Sequence, residues 1–88
     1  MAYKLEISKA AQADLAKLDK SVLQAVRQRL QTLAENAEQV RHLALKGELA
    51  GLYKLRVHGK YRIIYRLHRD IQVIVVVRVG NRSDIYKE

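Results

Sequence analysis

The sequence predicts an α+β domain in which two N-terminal helices pack on one face of an antiparallel sheet, in the order β-α-α-β-β-β with a short last segment. Two observations predict it. Apolar residues recur at helical spacing between Ala11 and Ala37, and then at a period of two from Leu52 onward. Tight reversals at His58-Gly59-Lys60 and Arg69-Asp70 join the later segments, as in a meander of consecutive antiparallel strands. A helix stripe and a one-sided sheet each need an apolar partner, so the helices must cover the sheet.

Tyr3-Lys4-Leu5-Glu6-Ile7 alternates apolar and polar and reads as a half-buried strand, expected to join the same sheet. Ser8 offers an N-cap hydroxyl to a short helix carrying Ala11, Leu15 and Leu18. After a break at Asp19-Lys20, Ser21 is placed to cap a second helix, with Gln24 at the reciprocal position. Leu23, Val26, Leu30, Leu33 and Ala37 form its apolar stripe, which predicts a helix to about Gln39. Gln24, Arg27, Gln28, Gln31 and Glu35 form its solvated face. Residues 40–51 connect helix to sheet and contain Gly47 and Gly51. Strands are predicted over Leu52–Val57, Tyr61–His68 and Ile71–Val79, the last β-branched and central. Gly80-Asn81 breaks the third, and Ser83–Tyr86 forms a short last segment.

Eighty-eight residues, 49% hydrophobic and 30% charged, suit one folded domain spanning 1–88 rather than a disordered chain. The absence of cysteine excludes disulfides, thiolate metal sites and a cysteine nucleophile, and fits a reducing cytoplasm. Met1 to Ser8 lacks the apolar run of a signal peptide, and the longest aliphatic run, Val73 to Val77, is too short to cross a bilayer. Charge is uneven. Residues 1–40 hold six Lys/Arg against five Asp/Glu, and residues 41–88 hold eleven against four, so nearly all of the net +8 lies in the second half. Such a half points to a polyanionic partner: nucleic acid, ribosome or an acidic protein.

Strand alternation sorts those cations. Tyr53, Leu55 and Val57, then Tyr61, Ile63, Tyr65 and Leu67, point toward the helices. Lys54 and Arg56, then Arg62, Ile64, Arg66 and His68, point away, with Arg78 available from the third strand. Like charges on neighbouring strands repel, which favours a surface built to receive an anion over an ordinary solvated sheet face. Tyr86 either packs the last segment or offers a stacking platform for a base. His42, His58 and His68 show no metal spacing, so no metal or other cofactor is expected. No glycine-rich phosphate loop or nucleophile elbow is present.

The stretch from Leu45 through Lys46-Gly47-Glu48-Leu49-Ala50-Gly51-Leu52-Tyr53-Lys54-Leu55-Arg56 to Val57 resembles the middle of RelE/ParE-superfamily toxins of type II toxin–antitoxin systems. So do Tyr61-Arg62-Ile63-Ile64-Tyr65, the ending Val79-Gly80-Asn81-Arg82-Ser83-Asp84-Ile85-Tyr86, and the opening Ser8-Lys9-Ala10 with Asp14-Leu15 and Lys17-Leu18. The ordered set covers nearly the whole chain. The resemblance implies a fold like microbial ribonucleases and, for the RelE branch, mRNA cleavage in the ribosomal A site. A basic residue followed by a C-terminal tyrosine, Arg82 and Tyr86 here, places the chain on that branch. The ParE-like branch inhibits DNA gyrase and usually lacks the set. A third alternative is a non-catalytic basic module that binds RNA or protein.

The resemblance further implies that Lys54, Arg56, Arg62, Arg82 and Tyr86 carry the chemistry, with Lys60, Arg66 and Arg78 as further RNA contacts. The ribose 2′-OH would attack phosphorus without a metal. Lys54 would accept its proton, helped toward the neutral amine by the cations of Arg56 and Arg62. Arg62 would hold the phosphate, Arg82 would serve the leaving oxygen, and Tyr86 would stack on a base. Some members carry lysine where this chain has Arg56, which shifts the base role onto Lys54. The expected partners are a RelB-like antitoxin, the ribosome and its mRNA, and operator DNA only through the antitoxin complex.

Overall fold

Local chemistry sets the first elements in a computed structural model that describes residues 2–47 and 50–81. Strand β1 (Lys4–Ile7) leads into helix α1 (Lys9–Ala16), whose N-cap Ser8 accepts the Ala11 N–H as expected. Helix α2 (Lys20–Glu35) starts earlier than Ser21, because Asp19 holds the extended backbone of the N-cap. It also stops short of Gln39, at an Asn36 whose side-chain amide donates to the Thr32 carbonyl and competes with the next helical turn. The buried stripe is Val22, Val26, Leu30, Leu33 and Ala34, so Val22 rather than Leu23 faces inward.

Four more strands follow: β2 (Leu43–Ala44), β3 (Tyr53–Val57), β4 (Tyr61–His68) and β5 (Val73–Asn81). The two-residue β2 lies in the predicted connection, too short to show a period. Strand order is β1-β5-β4-β3-β2. β2 to β5 run antiparallel to their neighbours, but β1 pairs parallel to β5, from Lys4↔Val73 to Ile7↔Val76. The sheet is therefore mixed rather than wholly antiparallel. β5 reaches β1 only after the two helices and the β2–β4 strands, and so can lie beside it in the same direction, which a tight turn cannot arrange.

Both helices cover one face, where Ala11, Val26, Leu30 and Leu33 meet Val57, Ile63, Tyr65, Ile74, Val76 and Val79. The opposite face holds a smaller apolar island of Leu52 and Ile64, joined by Leu45 and Val77. Ile64 thus belongs to a second, shallow core. His42 pins the connection to the sheet. Its Nε2 donates to the Ala37 carbonyl at 2.7 Å, and its Nδ1 is hydrogen-bonded to the Tyr65 hydroxyl.

Strand β5 does not end at Val79. It runs through Gly80 to Asn81 and contains a bulge, because Ile64 pairs with Arg78 while Tyr65 pairs with Val76. The extra residue, Val77, joins the island on the open face. Alternation restarts beyond it, so Val79 returns to the main core and Gly80 comes to lie across from Arg62.

Candidate nucleic-acid interface

The hairpin of β3 and β4 is the frame. In its register Lys54 faces Ile64 and Arg56 faces Arg62. Leu45 donates its N–H to the Leu52 carbonyl, so even-numbered residues of β3 direct their backbone groups toward β2 and away from β4. Arg56 and Arg62 therefore form a non-hydrogen-bonded pair, the close type with Cα atoms about 4.5 Å apart. Two guanidiniums directly opposed at that spacing repel. Lys54 sits two residues from Arg56 on the same face, about 7 Å along the strand.

Arg62 is the only buried charged side chain among the described residues, at 6% exposure. Its Nη1 donates to the Gly59 carbonyl at 3.0 Å and the Tyr61 carbonyl at 3.1 Å, which turns the guanidinium toward the hairpin turn. The single ion pair among the described residues joins Arg78 to Asp14, so no described carboxylate balances Arg62. A buried charge with two neutral acceptors and no described counter-charge is poised to take an anion. Gly80 places no side chain across from it.

The turn that orients this pair carries backbone strain. His58 and Gly59 both adopt positive φ, 53° and 71°. Glycine does so freely, whereas histidine is only tolerated there. Lys60 follows in the same turn, exposed. Arg66 lies farther along β4, exposed on the open face beyond Ile64, about 13 Å from Arg62.

Arg78 pairs across from Ile64, in the row of Lys54, but its side chain turns to α1. There Asp14 Oδ2 accepts from its Nε at 2.8 Å and also from the Val79 N–H at 2.9 Å. Asp14 Oδ1 accepts from Nη2 at 3.3 Å. Burial pushes the Asp14 carboxyl up, but the bonds from Arg78 and the Val79 N–H outweigh it and hold the group below its ordinary value. Ser8 completes the clamp by donating its hydroxyl to the Val77 carbonyl at 2.8 Å. These groups at α1 occupy the edge of β5 where β1 has ended, and so fix the bulge. Sequence reasoning missed Asp14, although a signal existed: a carboxylate in the last turn of a helix opposes the macrodipole and needs another reason to be there.

The structure thus brings Lys54, Arg56 and Arg62 together, keeps Lys60 and Arg66 at the margins, and engages Arg78 elsewhere. Arg82 and Tyr86 lie outside the described residues. No group of three His, Cys, Asp or Glu that could hold a metal occurs among the described residues. No described helix is long and apolar enough to cross a membrane.

Residues 5–86 match the family model for the ParE toxin of the type II toxin–antitoxin system parDE. This chain belongs to the RelE/ParE superfamily of type II toxins. The toxin is 34% identical over 88 residues to Toxin RelG of Mycobacterium tuberculosis, covering 99% of each chain. It is also similar to a solved chain of the toxin–antitoxin complex RelBE2 from that organism, at 32% identity and a TM-score of 0.82, covering 96% of this chain and 95% of that one. The isolated RelE toxin of E. coli superposes with a TM-score of 0.73 at 27% identity, covering 97% and 92%. The helices-on-sheet architecture of the toxin is the one these relatives share.

Proposed function

We propose that this toxin is a ribosome-dependent endoribonuclease that cuts mRNA in the A site and is neutralised by a RelB-like antitoxin in the cytoplasm. The observation that carries the reading is Arg62: a buried guanidinium without a described counter-charge, directly across from Arg56 and two residue pairs from Lys54. That arrangement suits a phosphodiester. Lys54 accepts the 2′ proton as O2′ bonds to phosphorus. The P–O5′ bond breaks, giving a 2′,3′-cyclic phosphate and a 5′-OH end. Arg62 and Arg56 hold the non-bridging oxygens as negative charge builds on them. By resemblance, Arg82 delivers a proton to the departing oxygen and Tyr86 stacks on a base.

No described carboxylate stands with these cations to act as a second proton carrier, so positioning by the ribosome must supply much of the acceleration. The similarity to toxins solved with antitoxins supports a protein partner whose acidic groups meet the same cations. Operator DNA is contacted through that complex. Because the matching family model is that of a ParE toxin, gyrase inhibition is the second reading. One comparison tests both. Cleavage of ribosome-bound mRNA should far exceed cleavage of the same RNA free in solution, and supercoiling by gyrase should be unaffected. Equal cleavage of free RNA would refute ribosome dependence, and inhibited supercoiling without cut ends would move the toxin to the gyrase branch.

A further inference from the structure

A second basic site lies where α2 passes the end of β3. A groove of about 360 Å³ there is lined by Ala25, Gln28 and Arg29 of α2 and by Arg56, Val57 and His58 of the hairpin. Three side chains with cationic forms converge on it, and none of its lining residues is acidic. Among the described residues, Arg29, Arg56 and His58 take part in no ion pair or side-chain hydrogen bond, although Asp and Glu residues are available elsewhere on the surface. Strand β2 covers the outer edge of β3 only at Tyr53 and Lys54, so the edge beside Arg56 is open to the groove. Arg56 therefore stands at a corner: across the strand from Arg62 on the sheet face, and on the wall of the groove around the edge.

We propose that this groove is a second anion site, which seats a backbone phosphate of a polynucleotide apart from the scissile linkage. The proposal rests on the reading of the toxin as an RNA-directed protein, and it adds a binding contact on α2 that the cleavage chemistry does not require. Two guanidinium forks, an amide and an imidazole arranged around a concave space suit a tetrahedral phosphate with several acceptor oxygens better than a planar carboxylate, which one fork satisfies. The phosphate can belong to the message on either side of the cut or to the ribosomal RNA around it. In both cases the strand turns the corner at Arg56.

The test uses the full chain with Arg29→Ala, Arg29→Lys and the double change Arg29→Ala with His58→Asn. Arg29 is exposed on a helix that accepts alanine, and asparagine tolerates the positive φ of His58, so these variants keep the fold. Binding to a short oligoribonucleotide and to empty ribosomes is measured across a salt series, together with KM and kcat on ribosome-bound mRNA. Arg29→Ala should weaken binding about tenfold and lower the salt slope by about 0.7, the value for one contact to a single strand. KM should rise with kcat unchanged, and Arg29→Lys should retain most of the affinity. Loss on the oligoribonucleotide assigns the phosphate to the message, and loss on empty ribosomes alone assigns it to ribosomal RNA; either supports the site. Unchanged affinity and salt slope in the double variant would overturn it, as would a loss confined to antitoxin binding. If the unaltered toxin binds but cuts nothing, the cleavage reading fails while the binding series still decides the groove.

Discussion

Burying a guanidinium costs several kcal/mol unless a paired anion and good hydrogen bonds offset it. Arg62 has two carbonyl acceptors and no described anion, so it weakens the fold while it waits for a ligand. Arg62→Met, which keeps the stem and removes the charge, should therefore leave the toxin as stable as before or stabilise it by about 1–3 kcal/mol. The same change, like Lys54→Ala, should lower cleavage by about 10²-fold or more. Urea denaturation and primer-extension mapping of cut ends measure the two effects. An Arg62→Met variant that lost stability and kept activity would make Arg62 a clamp for the turn rather than a phosphate ligand. Tyr65 gives a second residue-scale case. Burial first, and then the neighbouring Tyr53, push its phenol up to about 12. The folded value exceeds the unfolded one near 10, so this contribution is complete below pH 10 and fades as pH rises toward 12. Tyr65→Phe should flatten the alkaline fall in stability over that window, read as the denaturation midpoint against pH.

At the scale of the element, β5 is where sequence and structure part. Alternation read the β3–β4 hairpin correctly, face by face, because its side-chain period is unbroken and its turn is marked by Gly59. The open-face positions of Lys54, Arg56, Arg62 and Arg66 followed from that alone. The third predicted strand looked just as regular, yet Val73 to Val77 is aliphatic throughout and carries no alternation to reveal a slipped register. The bulge at Val77 was invisible for that reason, and so was the Asp14 partner that engages the Arg78 side chain. What fixes the bulge is tertiary: Ser8 and Asp14, more than sixty residues away in sequence, bond to Val77, Arg78 and Val79. The parallel edge strand was likewise illegible, since Lys4–Ile7 alternates equally well in either direction. Asp14→Asn should remove the charge-assisted bond and cost about 1–3 kcal/mol at neutral pH. Because the folded carboxyl sits below its ordinary 3.8, its contribution is present above that value and lost as pH falls through the folded one. The variant should thus converge on the unaltered protein in acid. Divergence that persisted at low pH would mean the clamp acts by shape alone. Cleavage should also fall, since the bulge sets Gly80 across from Arg62.

Over the whole molecule, the same charges that crowd the hairpin make the isolated toxin an incomplete object. A net charge of +8 on 88 residues, with eleven of the seventeen Lys/Arg beyond residue 40, raises self-repulsion that a polyanion relieves. A ligand that binds only the folded chain stabilises it by about 2.7 kcal/mol at one hundred times its Kd. For a domain of this size each kcal/mol moves Tm by about 4–8 °C. A saturating oligoribonucleotide at low salt should accordingly raise Tm by about 10 °C or more, and the gain should shrink steeply as salt is added, because released counterions drive the binding. Arg62→Met and Arg29→Ala should each take away part of that gain, since they stand on opposite sides of the Arg56 corner. A gain that neither change touched would place the polyanion on some other surface, and the cationic hairpin would then have to answer to the antitoxin alone.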